Sequence, residues 1–185
     1  MRQDRDQLNR WMAGASSNDR GAFGMLAAAV QDELYRFALA HGLAAPDAAE
    51  AVQETLLRAY GKRRKWHKDA DALAWLYGIA MNVVRESRRQ RRKGLPLLAD
   101  AEAILAAATD GRDRAAGEEV SLRRLAEALA DLPRRQREAV TCRFLRRMSI
   151  KDAAAAMGCA EGTVKAAVFS GLVNLRRIMK VGQDR

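Results

Sequence analysis

The chain has 185 residues, 49% of them hydrophobic, enough for one ordinary domain or two small ones with real cores and too apolar for a disordered chain. Its 33 Lys and Arg against 23 Asp and Glu leave a formal charge of +10, which draws the molecule toward polyanions, either nucleic acid or an anionic membrane surface. No apolar run approaches the roughly 20 residues that span a bilayer, and the N-terminal MRQDRDQLNRW lacks the apolar stretch of a signal peptide, so a cytoplasmic protein without membrane insertion is expected.

Alanine and leucine dominate, prolines stand at positions 46, 96 and 133, and no stretch alternates in the β-branched manner of a strand; the expected class is all-α. Residues 1–18 form an N-terminal extension. From Asp19 to Ala40, Phe23, Leu26, Ala27, Val30, Leu34 and Phe37 recur at three- and four-residue steps, an amphipathic helix closed by His41-Gly42. Pro46 suits the first turn of a second helix running through Tyr60, where Ala48, Ala51, Val52, Thr55, Leu56 and Ala59 form an inward stripe. That stripe leaves Glu50, Gln53, Glu54 and Leu57 together on another face. Gly61 and the charged segment after it read as a loop, followed by a third helix from about Asp71 to Arg92, in which Trp75, Leu76, Ile79 and Val83 sit at core spacing.

The stretch KRRKWHKDADALAWLYGIAMNVVRESRRQRRK, Lys62 to Lys93, sets Trp66, Trp75, Tyr77 and Asn82 between two basic blocks. Basic groups neutralise phosphates, aromatic rings stack on unpaired bases, and an asparagine amide offers both donor and acceptor to a base edge. A solvated basic helix would carry a similar composition.

Gly94 and Pro96 end this module. Residues 94–119 read as a flexible acidic linker, in which Asp100, Glu102, Asp110, Asp113, Glu118 and Glu119 outnumber Arg112 and Arg114, open to two uses, a solvated spacer or a segment that binds a basic channel. A second module, residues 120–181, opens with two helices joined at Leu132-Pro133. Ser149 with Asp152 makes a capping box for a short helix, and Met157-Gly158-Cys159 turns into a helix from about Glu161 to Met179. The spacing is that of a helix-turn-helix, although a plain αα-hairpin needs the same faces. Val164, Val168, Leu172, Leu175 and Met179 are its expected buried stripe, with Phe169 and Val173 to one side. Those two residues are open to three uses: contact with thymine methyls, a partner stripe, or an extension of the core.

Cys142 and Cys159 form no CxxC pair and lie far in sequence from His41 and His67, so buried free thiols are expected, with no metal and no disulfide. Gly-rich phosphate loops and a carboxylate cluster for a catalytic metal are missing, and neither a cofactor nor an enzymatic activity is expected.

In series, DAAEAVQETLLRAY, WLYGIAMN with its basic helix, ALADLPRRQREAV and MSIKDAAAAMGCAEGTVK resemble the extracytoplasmic-function group of the bacterial sigma-70 family of RNA polymerase sigma factors. The resemblance covers about residues 20–93 and 121–180. It implies two small helical domains, sigma region 2 over residues 19–93 and sigma region 4 over 120–181, which bind core RNA polymerase and recognise the minus-ten and minus-thirty-five promoter elements. It further implies that Glu50, Gln53, Glu54 and Leu57 dock on the clamp helices of the beta-prime subunit. Ala49 departs from an acid common in the family. For the minus-ten element it implies Trp66 and Asn82 at a flipped base, with Trp66 as a staple under the loop the alternative. Lys62, Arg63, Arg64, Lys65, Arg85, Arg88 and Arg89 would lie along phosphates. For the minus-thirty-five element it implies Glu161, Thr163, Lys165, Ala166, Phe169, Ser170, Arg176 and Arg177. Here Ala167, Ser170 and Leu172 stand where the family commonly has basic residues, and Ala160 replaces a capping serine. The implied partners are core polymerase through beta-prime and the beta flap, promoter DNA in duplex and single-stranded form, and an anti-sigma protein. The competing reading is a stand-alone helix-turn-helix regulator that never meets polymerase; it leaves Glu50, Gln53, Glu54, Trp66 and Asn82 without a task.

Overall fold

The computed structural model describes residues 2–91, 104 and 124–181. The expected linker therefore lies, apart from Ile104, outside the described residues, as do Arg92 and Lys93. Every regular element among the described residues is helical: α1 (Arg2–Ser16), α2 (Arg20–Ala40), α3 (Ala45–Lys62) with a 3-10 turn over Arg63–Lys65, and α4 (Ala72–Arg91). The C-terminal module comprises α5 (124–130), α6 (Arg134–Val140) running into a π turn over Thr141–Leu145, α7 (Ile150–Met157) and α8 (Glu161–Val181). No described helix is long and apolar enough to cross a membrane.

Local chemistry fixes the helix ends. The Asp19 carboxylate accepts from the Ala22 N–H at 3.0 Å, satisfying one of the orphan donors at the start of α2. Pro46 sits in the first turn of α3, where a missing N–H removes nothing. Ser149 caps α7 as expected, its Oγ accepting from the Asp152 N–H at 3.0 Å, while the Asp152 carboxylate accepts from the Ser149 hydroxyl at 2.8 Å. Gly158 ends α7 at φ 65°, ψ 45°, left-handed geometry in which a Cβ is strained, and this turn aims α8 across α6 and α7.

The first core gathers Leu26, Val30, Leu34 and Phe37 of α2, the small residues of α3, and Leu76, Met81 and Val84 of α4. The same apolar cluster continues without a break into the C-terminal module through Cys142, Met148, Ala153, Met157 and Val164. A smaller second core joins Ile104, Leu129, Leu132, Val140 and Leu175. The two expected modules are thus present, but they lie against one another, with α7 across α4.

Three local expectations change. The N-terminal extension is a helix that buries Met12 and Ala15 completely, because Leu8, Trp11, Met12 and Ala15 fall on one face toward α2 and α4. Met179 leaves the buried stripe of α8 and is 42% exposed, while its neighbour Ile178 packs against the second core. Cys159 is half-buried; only Cys142 is a fully buried thiol.

Candidate functional site

Three faces carry the residues singled out in the sequence. On α3, Glu50, Gln53 and Leu57 are exposed, Leu57 to 69%, which sets one large aliphatic group beside an acid and an amide. Glu54 is half-buried: its Oε1 accepts from Arg58 Nε at 2.6 Å, and Arg58 Nη2 also meets Glu86 of α4 at 2.8 Å. Hydrogen bonds to Glu86 and then Glu54 raise the Arg58 pKa, and the same bond from Arg58 lowers that of the Glu86 carboxyl. This chain of charges ties α3 to α4 and holds Glu54 in one orientation.

The second face is the C-terminal half of α4 with the loop before it. Asp71 starts the helix by accepting from the Ala74 N–H at 2.8 Å, and Asn9 of α1 accepts from the Ala72 N–H at 2.8 Å. Asn82 is exposed, its amide at the junction of two clefts. One, about 470 Å³, is bordered by Arg85, Arg88, Arg89, Arg134 and Glu138; the other, about 490 Å³, by Trp75, Gly78, Lys151 and Asp152. Lys62, Arg64, Lys65 and Arg89 are exposed. Arg63 lies over the Tyr60 ring at 4.1 Å and donates to Tyr60 O and Asn18 Oδ1, each at 2.7 Å, so it is engaged within the fold. Arg88 donates to the carbonyl of His41.

Trp66 is not an open stacking platform in this arrangement. It is 6% exposed, belongs to the first core, and its buried indole N–H has no hydrogen-bond partner. The ring packs into the first core just after the 3-10 turn at Arg63–Lys65, in the manner of a staple under the loop. Trp75 is half-buried against the core, as its spacing predicted.

On α8, Glu161, Lys165, Ala166, Phe169, Ser170, Arg176 and Arg177 are exposed and Thr163 is half-buried. Phe169 is 71% and Val173 48% exposed, which removes the core-extension reading and leaves a DNA methyl or a partner surface for both. The helix packs on α6 at Gly171, where an added Cβ would meet Val140 Cγ2 at 2.7 Å, and Asn174 donates to Gln136 at 2.8 Å.

Sequence reasoning missed the polar seam between the modules. Arg85 Nε and Nη2 donate to the two carboxylate oxygens of Glu138 at 3.2 and 2.9 Å, and Nη2 also reaches the Met157 carbonyl at 3.2 Å. Glu138 is 5% exposed, and its hydrogen bond pushes up the Arg85 pKa. Arg146 Nη1 reaches Glu33 Oε1 at 3.4 Å, and that oxygen also accepts from the Tyr77 hydroxyl at 2.5 Å. Burial and then the Glu33 charge raise the Tyr77 pKa. Arg146 comes to this seam just beyond the π turn, where its N–H bonds Thr141 O at 3.0 Å. One signal was available in sequence: Glu138 is the sole acid within the basic run PRRQREAV.

A model of the Sigma-70 region 2 family matches residues 26–94, and one of Sigma-70, region 4 matches residues 122–175. The ECF RNA polymerase sigma factor SigM of Mycobacterium tuberculosis (strain H37Rv) is 32% identical over 178 residues, 96% of this chain and 85% of that protein. The ECF RNA polymerase sigma factor EcfG of Rhodopseudomonas palustris is 33% identical over 148 residues, 80% of each chain. Among solved structures, CnrH in complex with the cytosolic domain of CnrY superposes with a TM-score of 0.72 over 95% of this chain and 98% of that one, at 23% identity, a likeness of fold. The sigma factor RpoE, solved with the anti-sigma factor NepR from Bartonella quintana, is 28% identical with a TM-score of 0.62, covering 82% of this chain and 92% of that one. With both regions matched in their order along the chain, and with relatives about a third identical over most of their length, this chain belongs to the extracytoplasmic-function RNA polymerase sigma factors of the sigma-70 family and directs core RNA polymerase to promoters.

Proposed function

We infer that the α3 face docks on core polymerase through Glu50, Gln53, Glu54 and Leu57, against the clamp helices of beta-prime. The observation that carries this reading is Leu57, 69% exposed, with acidic and amide neighbours around it: an apolar anchor ringed by groups that select a basic partner. The α4 face is assigned to the minus-ten element, with Asn82 reading a base edge and Arg85, Arg88, Arg89, Lys62, Arg64 and Lys65 along the backbone. The α8 face is assigned to the minus-thirty-five duplex, with Lys165, Arg176 and Arg177 on phosphates and Thr163, Ala166, Phe169 and Ser170 toward the groove. The beta flap is the expected second polymerase contact. An anti-sigma protein is a further partner by analogy with RpoE, which was solved with one. The factor acts in the cytoplasm with the polymerase, as an initiation factor without catalysis of its own.

Co-purification with core RNA polymerase followed by transcription from a promoter library tests this reading. Retention on core and a discrete set of new transcripts are expected. A chain that binds duplex DNA but is never retained by core would instead be a stand-alone regulator.

A further inference from the structure

We propose that α1 is a splint for base selection at the minus-ten element: Asn9 and Asn18 are positioning residues that fix the two ends of the loop between α3 and α4, and with it one wall of the cleft onto which Asn82 opens. The proposal rests on the assignment of the α4 face to the minus-ten element.

Between the 3-10 turn at Arg63–Lys65 and the start of α4 the chain runs through His67, Lys68 and Asp69, all exposed. Inside this segment the Ala70 N–H bonds the His67 carbonyl at 2.9 Å, which shapes a turn without tying it to the module. The ties come from the N-terminal helix and the turn that follows it. At the start of the loop, Arg63 Nη2 donates to Asn18 Oδ1 at 2.7 Å. At its end, Asn9 Oδ1 accepts from the Ala72 N–H at 2.8 Å, across 63 positions of sequence. A helix leaves its first N–H groups without intrahelical partners. In α4 the local Asp71 serves the Ala74 N–H, and the partner of the Ala72 N–H is brought from α1. Arg5 Nη1, 3.5 Å from Asp71 Oδ2 and 3.8 Å from Asp152 Oδ2, adds a looser contact to the capping carboxylate.

A splint has to be rigid, and α1 is held by the core rather than by the loop. Met12 and Ala15 are completely buried. Gly14 lets α1 approach α2 so closely that an added Cβ would lie 2.9 Å from Ala22 Cβ. Asn18 sits at φ 78°, the left-handed region that asparagine tolerates better than most residues, and this turn presents its amide to Arg63. These groups precede residues 26–94, the part matched by the region 2 family model.

The consequence falls on the cleft of about 490 Å³. Asp69, Ala70 and Asp71 line it together with Asn82. Asn82 stands on the same helix whose first N–H Asn9 holds, so any shift of the loop against α4 changes the distance between that wall and the amide. Recognition of a base requires such groups to be held to within about 0.5 Å. Loss of the splint therefore degrades the choice of base and leaves attachment to polymerase alone.

The test uses the full chain with core RNA polymerase and the preferred promoter from the library, with copies substituted at each minus-ten and minus-thirty-five position in turn. Asn9→Ala removes the acceptor at Ala72. Asn18→Gly removes the acceptor at Arg63 while suiting the positive φ, and because Asn18 is exposed it carries the same test should Asn9→Ala fail to fold. Each should lower discrimination between the preferred and substituted minus-ten elements by about fivefold, the factor that one intramolecular hydrogen bond of ordinary strength represents. Discrimination at the minus-thirty-five element and retention on core should keep their wild-type values. Asn9→Asp, which keeps an acceptor oxygen at the same place, should restore the minus-ten ratio. A helix that merely held the module together would lower transcription from all these promoters alike and leave the ratios intact. That uniform loss, or wild-type ratios in both Asn9→Ala and Asn18→Gly, would overturn the splint while the functional assignment stands. A wild type that directs polymerase to no promoter would remove the assignment and the splint with it.

Discussion

Nε2 of His41, at the end of α2, lies 4.0 Å from Sγ of Cys142 in the π turn of the C-terminal module, across 101 positions of sequence. The other ring nitrogen, Nδ1, is 2.8 Å from the Phe37 carbonyl, which can only accept, so Nδ1 carries the proton and Nε2 presents its lone pair to the thiol. Both groups are held neutral by the same burial. It lowers the His41 pKa from 6.5 to about 4, against smaller opposing effects from the Phe37 carbonyl and Glu138, while Arg137 and Arg146 add to the lowering.

A pH dependence of stability is the consequence. Between 6.5 and about 4 the unfolded chain binds a proton at His41 that the folded chain refuses, so the contribution is fully present above pH 6.5 and is lost as pH falls toward 4. The change is roughly 3 kcal/mol for a shift of this size. Urea midpoints measured at pH 7.5 and 4.5 should show it, and His41→Gln should flatten that part of the slope.

The two thiols should differ sharply in reactivity. Burial pushes Cys142 up to about 12, leaving almost no thiolate at neutral pH, whereas Cys159 is half-buried. Alkylation of the native protein at pH 8 should modify Cys159 first, as read by mass spectrometry. Equal rates at both positions would contradict the packing around Cys142.

Trp66→Ala should act on the fold before it acts on DNA. Removing a buried tryptophan leaves a cavity and costs about 3–5 kcal/mol, visible as a lower thermal midpoint in the absence of any nucleic acid. A variant as stable as the wild type but defective in promoter melting would return the ring to a stacking role.

On α3, Leu57→Ala and Glu50→Lys should leave thermal stability within about 0.5 kcal/mol, because both side chains are exposed. Each should weaken retention on core polymerase, Leu57→Ala by about 1–2 kcal/mol if it is the apolar anchor. Unchanged retention in both would remove the docking assignment. Glu54 is a poorer test, because reversing it would also disturb Arg58 and Glu86.

The recognition helix offers a gain-of-function test. Ser170 is exposed, whereas Ala167 is partly buried against the first core, so of the positions lacking a basic residue Ser170 accepts an arginine without repacking. Ser170→Arg should tighten duplex binding and steepen its dependence on log salt by about 0.9 for each additional phosphate neutralised. Titrations at two salt concentrations measure the slope directly.

The helices were legible because their determinants are local. The step of three and four from Phe23 to Phe37, the Ser149 cap on α7 and Gly158 each act within one or two turns, and the periodicity of a helix turns them directly into a buried face. The same local pattern exposed Glu50, Gln53 and Leu57 as a face apart and carried the family resemblance. The burial of Trp66, the insertion of Met12 beneath α2 and the pairing of Arg85 with Glu138 were decided only in three dimensions. Whether an indole stacks outward or packs inward depends on what closes over it, and an arginine in a basic helix has the same sequence signature whether it faces solvent, phosphate or a carboxylate 53 positions away. Sequence determined which faces exist; long-range packing decided which of them are free.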